Sequence, residues 1–140
     1  MFVLGKRSRD NLKGVHPDLV RVVERAIQIT KQDFVVIEGL RTQERQAQLL
    51  KQGATRTMNS RHLTGHAVDI VPWVNGTVSW DWKFYSEVRE AMMQAAGELG
   101  VEIEWGGNWE RFKDGPHWQL PWAKYPVQTV QAKAPRVKKK

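Results

Sequence analysis

Ser60-Arg61-His62-Leu63-Thr64-Gly65-His66-Ala67-Val68-Asp69-Ile70-Val71 changes character at its glycine. Before Gly65 the chain is polar and irregular. From His66 to Val71 it alternates as a strand, with Ala67, Asp69 and Val71 on one face and Val68 and Ile70 on the other. A carboxylate within a strand that otherwise reads as buried is the informative feature. Left unpaired there it costs several kcal/mol, so Asp69 needs a cation, a set of hydrogen-bond donors or a proton. Gly65 is the residue able to turn His62 back toward it.

Upstream, Pro17 suits a first helical turn, and Leu19, Val22, Val23, Ala26 and Ile27 recur at helical spacing, which predicts a helix over Pro17–Ile29. Phe34-Val35-Val36-Ile37, closed by Gly39, reads as a buried strand. Thr42 caps a second helix, Gln43 to Gln52, that ends at Gly53. Ala54 to Ser60 reads as a loop. Downstream, Asn75-Gly76 marks a hairpin turn between Val74 and Val78. Asp81 is placed to cap the longest helix, with the stripe Phe84, Val88, Ala91, Met92, Ala95 and Leu99, and Gly100 ends it. Val101 to Trp105 reads as a strand, Gly106 to Gly115 as a loop, and His117 to Leu120 as a last strand. The expected fold class is α+β: a single domain, residues 1–126, with helices packed on a small, mostly antiparallel sheet. Residues 127–140 read as a basic, flexible tail.

The 140 residues are 41% apolar and 26% charged, enough to bury one core. No apolar run approaches the ~20 residues of a membrane span, and the first ten residues lack the core of a secretory signal. Cysteine is absent, so any metal must be held by His and carboxylate. The net charge of +7 is uneven: Lys133, Arg136, Lys138, Lys139 and Lys140 hold five basic residues, and the other 17 basic and 15 acidic residues leave +2. The tail is either a solvated end or a segment attracted to a polyanion such as an anionic cell envelope. The near-neutral remainder and the lack of a nucleic-acid motif argue against a specific nucleic-acid binder.

Four histidines are present. His16, before Pro17, suits a helix cap. His62, Asp69 and His117 offer two imidazoles and one carboxylate, a set that fits zinc better than calcium or magnesium and leaves a tetrahedral position open. The alternative is that these are structural residues held by hydrogen bonds. A helical His62–His66 zinc pair is disfavoured by Gly65 and by the absence of Glu after His62. Strand alternation points His66 away from the Asp69 face.

Ser60-Arg-His62-Leu-Thr-Gly65-His-Ala67-Val-Asp69 resembles the SxHxxGxAxD signature of the VanY/VanX-like zinc D-alanyl-D-alanine peptidases, and Asp114-Gly-Pro-His117 resembles its second half. Glu38-Gly39-Leu40-Arg41-Thr42, continuing to Gln46, is similar to the family's upstream segment. The motifs occur in family order and span roughly residues 34–120. The short form is most similar to the phage endolysin branch, the L-alanyl-D-glutamate peptidases of peptidoglycan stem peptides. The resemblance implies a zinc site at the sheet face with His62, Asp69 and His117 as ligands. It implies Asp114 as catalytic acid/base, Arg41 as a substrate or oxyanion contact, and Ser60 as support for substrate or the ligand loop. The carboxypeptidase and dipeptidase branches present Glu where this chain has Asp114, which leaves Glu104 as the alternative base. Of seven tryptophans, Trp105 and Trp109 are expected to line the substrate groove, and Trp73, Trp80 and Trp82 to serve packing. The implied protein is a monomer acting in host lysis, held in the host cytoplasm until a holin-type protein releases it to the wall. Competing readings are a D-alanyl-D-alanine carboxypeptidase or dipeptidase and a non-catalytic zinc-containing binding module.

Overall fold

The computed structural model describes residues 1–53, 60–109 and 113–126. The expected loop at 54–59, part of the 106–115 loop and the basic tail lie outside the described residues. In chain order the elements are α1 (Lys6–Asn11), α2 (Pro17–Ile29), β1 (Phe34–Glu38), α3 (Gln43–Lys51), β2 (Ala67–Val74), β3 (Thr77–Val78), α4 (Tyr85–Leu99), β4 (Glu104–Trp105) and β5 (His117–Gln119). Short 3₁₀ turns occupy Arg61–Thr64, Trp82–Phe84 and Gly106–Asn108. No helix among the described residues is long and apolar enough to cross a membrane.

The strands form an antiparallel sheet in the order β1-β2-β5-β4, with β3 folded back on β2 through a turn in which Asn75 and Gly76 both take positive φ. Alternation gives the sheet two unlike faces. Val36, Val68, Ile70 and Trp118 turn inward and join Leu19, Val22, Val23 and Ala26 of α2 and Val88, Met92 and Ala95 of α4 in one core. The opposite face carries Glu38, Asp69 and His117 as one cross-strand row, because Glu38 pairs with Asp69 and Asp69 with His117. An irregularity between Val36 and Glu38 sets Glu38 in that row. The next row is Ala67, Gln119 and Glu104.

The helix over Pro17–Ile29 has the bounds its periodicity predicts, with His16 Nδ1 accepting the Asp18 N–H at 3.0 Å. Three elements differ from expectation. α1 is unanticipated: its six residues are mostly charged and show no apolar period. It is held by β1, whose outward Val36 N–H donates to Ser8 Oγ at 2.9 Å while Asn11 Nδ2 donates to the Val36 carbonyl at 2.8 Å. Asp81 caps the 3₁₀ turn at Trp82–Phe84 rather than the long helix, which starts at Tyr85. Val101 and Ile103 are buried without joining the ladder, so the expected strand reduces to Glu104–Trp105. Trp73, Trp80 and Trp82 are also corrected: they are 37%, 58% and 49% exposed, too open for core packing. Each follows or flanks the β2–β3 hairpin and the 3₁₀ turn, at the rim of the molecule.

Candidate metal centre

The turn before β2 aims His62. Ser60 Oγ caps it by accepting the His62 N–H at 3.2 Å, and Gly65 ends it at φ +76°. A Cβ on Gly65 would lie 2.3 Å from the Gly14 carbonyl oxygen, and the Gly65 carbonyl accepts the His16 N–H at 2.8 Å. Glycine is therefore required twice, for its dihedral and for the close approach. Arg61, buried, ties the turn to the chain after β5 by donating to the carbonyls of Leu120 and Tyr125 at 3.1 and 2.6 Å.

His62 Nε2 then lies 3.1 Å from Asp69 Oδ1, and His117 Nδ1 lies 3.4 Å from the same oxygen. One ligand atom from each residue fits within a 4.8 Å group. Donors held about 2.0–2.2 Å from a tetrahedral ion stand about 3.3–3.6 Å apart, so the spacing fits such an ion. The remaining ring nitrogens are engaged behind the site: His62 Nδ1 lies 2.8 Å from the Gly39 carbonyl oxygen and His117 Nε2 lies 2.7 Å from Gln119 Oε1. Burial opposes charge on Asp69, but His62 and His117 beside it hold its carboxyl below the usual carboxylate range. Burial likewise opposes charge on His117, and Asp69 outweighs it and raises the imidazole pKa. These residues can hold a divalent metal.

Arg41 flanks the group. Its Nε and Nη2 donate to Glu38 at 3.0 and 2.8 Å, its Nη1 donates to Gln46 at 2.7 Å, and Nη2 stands 3.6 Å from Asp69 Oδ2. Its planar fork is thus oriented by Glu38 while its charge faces the site. Asp114 is brought there by a turn in which the His117 N–H donates to the Asp114 carbonyl at 3.1 Å. Burial and the negative charge of Asp69 push its carboxyl up, against the opposing pull of His117, His62 and Arg41. Trp109 sets its ring 5.0 Å from that of His117, whereas Trp105 pairs across the sheet with the inward Trp118 and stacks on it at 5.7 Å; the cavity of about 330 Å³ that both line touches Glu104 but none of His62, Asp69, His117 or Asp114. Trp122 instead covers the Arg61 guanidinium at 4.3 Å. His66 pairs with the Thr64 hydroxyl at 2.6 Å and lies against His16, away from the metal group.

Two features of the site were not anticipated from sequence. The Gly39 carbonyl orients His62, which no side-chain pattern signals. Tyr85, buried on the first turn of α4, lies near enough to Asp114 and Asp69 that burial and their charges push its phenol up to about 12, keeping it protonated and able to donate a hydrogen bond.

Residues 1–119 match the model of the phage L-alanyl-D-glutamate peptidase family. The chain belongs to that family. It is 34% identical over 117 residues to the L-alanyl-D-glutamate peptidase of Escherichia phage T5, an alignment covering 81% of this chain and 85% of that protein. It is 37% identical over 97 residues to the enzyme of the same name from Listeria phage A118, of which only 34% is covered. The crystal structure of Serratia marcescens L-Ala D-Glu endopeptidase ChiX superposes with a TM-score of 0.83 at 49% identity, covering 87% of this chain and 92% of that one. The family's α+β fold and metallopeptidase class are those the site presents.

Proposed function

We propose that this protein is a zinc-dependent peptidase that hydrolyses the L-alanyl-D-glutamate bond in peptidoglycan stem peptides. The observation that carries this reading is the His62–Asp69–His117 group with Asp114 poised beside it. Activity on that bond is named for the T5 protein and for ChiX, each aligned over more than four-fifths of its length.

His62, Asp69 and His117 hold the ion, and two imidazoles with one carboxylate suit zinc. Zinc bound there would supply Lewis acidity, lowering the pKa of water toward neutral so that hydroxide becomes available. Asp114 accepts the proton from the attacking water and returns it to the departing amine. Arg41, braced by Glu38 and Gln46, places a fixed positive charge where the carbonyl oxygen becomes anionic. Trp109, with its ring 5.0 Å from that of His117, is the tryptophan placed to shield the site from water. Ser60 acts through the turn that carries His62.

Incubation with purified sacculi, followed by mass analysis of the fragments, tests the assignment. Release of fragments with a new D-glutamate amino terminus is expected; release of D-alanine or its dipeptide would assign the D-alanyl-D-alanine chemistry instead. Asp114→Ala should lower kcat by about 10²–10⁴-fold with zinc still bound. Retained turnover would move the base to another residue.

A further inference from the structure

We propose that Glu104 and Gln119 form a positioning pair that keeps the proton of His117 on Nε2 and so reserves Nδ1 for the metal. The inference rests on His117 acting as a ligand.

Glu104 is an exposed carboxylate on β4. Antiparallel pairing of β4 with β5 sets Glu104 opposite Gln119, and Gln119 Nε2 donates to Glu104 Oε1 at 3.0 Å. A carboxylate can only accept, so the amide NH₂ of Gln119 must face Glu104 and its carbonyl oxygen must face the other way. That oxygen lies 2.7 Å from His117 Nε2. It too can only accept, so the ring donates from Nε2. In a neutral imidazole the lone pair is then on Nδ1, the atom that faces Asp69 at 3.4 Å.

His62 shows the same arrangement with the nitrogens exchanged: the Gly39 carbonyl engages Nδ1 and leaves Nε2 toward Asp69. For His62 the acceptor is main chain and cannot flip. For His117 it is an amide, whose two ends differ only in chemistry. Gln119 alone could present NH₂ to the ring as readily as oxygen. Glu104 removes that freedom. The residue that offered a second candidate for the base therefore acts on the far side of His117, through Gln119, and needs no contact with substrate.

Zinc affinity by chelator competition and ¹⁵N NMR of the histidine rings in the zinc-loaded protein test this directly. The native protein should show a His117 Nε2–H protected from solvent exchange. Glu104→Ala and Gln119→Leu should each weaken zinc binding by about 10–100-fold and expose or abolish that resonance. Because Glu104 is exposed, Glu104→Ala preserves the fold even if Gln119→Leu does not. The exchanged pair, Glu104→Gln with Gln119→Glu, should recover most of the affinity, since the carboxylate at 119 accepts from Nε2 and the amide at 104 donates to it. Unchanged zinc affinity and an unchanged ring resonance in Glu104→Ala would overturn the positioning role while leaving the metal site standing. A native protein that binds no zinc would overturn the site itself.

Discussion

At the scale of single residues, Gly65 ends the turn that carries His62. Its φ of +76°, and the 2.3 Å at which an added Cβ would meet the Gly14 oxygen, leave no space for a side chain. Gly65→Ala should cost at least about 1–3 kcal/mol, read as a lower urea midpoint, and should weaken metal binding because His62 moves with the turn. His66, one residue later, is the pH-sensitive neighbour. Burial, then the positive charges of Arg61 and His16, hold its imidazole down at about 4. An unfolded histidine titrates near 6.5, so between about pH 6.5 and 4 the unfolded chain takes up a proton that the folded chain refuses. Stability is full above that window, falls as pH drops through it, and levels off below it. His66→Gln should therefore lose less stability than the native protein between about pH 7 and pH 5, measured by denaturant midpoints. A native-like loss in the variant would assign the effect to other groups.

At the scale of elements, the sheet edge is the instructive case. β1 would present the Val36 N–H and carbonyl to solvent, and α1 meets both with Ser8 and Asn11. Covering an edge this way guards against pairing with another chain. Ser8→Ala leaves the Val36 N–H buried without its acceptor, so a loss of about 1–3 kcal/mol in thermal or urea denaturation is expected. Nothing in the run Lys6–Asn11 announces this, because the helix is stabilised by a strand some 25 positions away and not by its own periodicity. Where elements depend on their own pattern, the reading was direct. The apolar stripe of α2, the Asn75-Gly76 turn and the alternation of β2 appear as the sequence implies. The three donors were legible as a candidate set from residue type and the turn at Gly65, with a structural role left open, and the resemblance to the peptidase signature implied them as ligands; the structure brings them together. The supports behind them were not legible: the Gly39 carbonyl and the Gln119 amide act through backbone position and cross-strand register, which residue types do not encode.

At the scale of the whole molecule, the site joins a turn and two neighbouring strands. His62 comes from a turn, Asp69 from the central strand and His117 from the strand beside it. Asp69 faces two imidazoles and an arginine, and an ion held by His62, Asp69 and His117 would bind all three elements together. Chelation with EDTA should therefore abolish hydrolysis and lower the melting temperature together, and zinc should restore both. Activity lost with an unchanged melting temperature would mean that the ion is bound without stabilising the fold.

The pairing of Asp69 with His117 across β2 and β5 has a consequence for how the protein matures. A slip of one residue between those strands would send one ligand to the apolar side of the sheet, leaving an assembly that looks strand-rich yet cannot capture the ion. Metal uptake thus proofreads folding. In a refolding mixture, the fraction that retains zinc through gel filtration should be the fraction whose strands have found their proper partners.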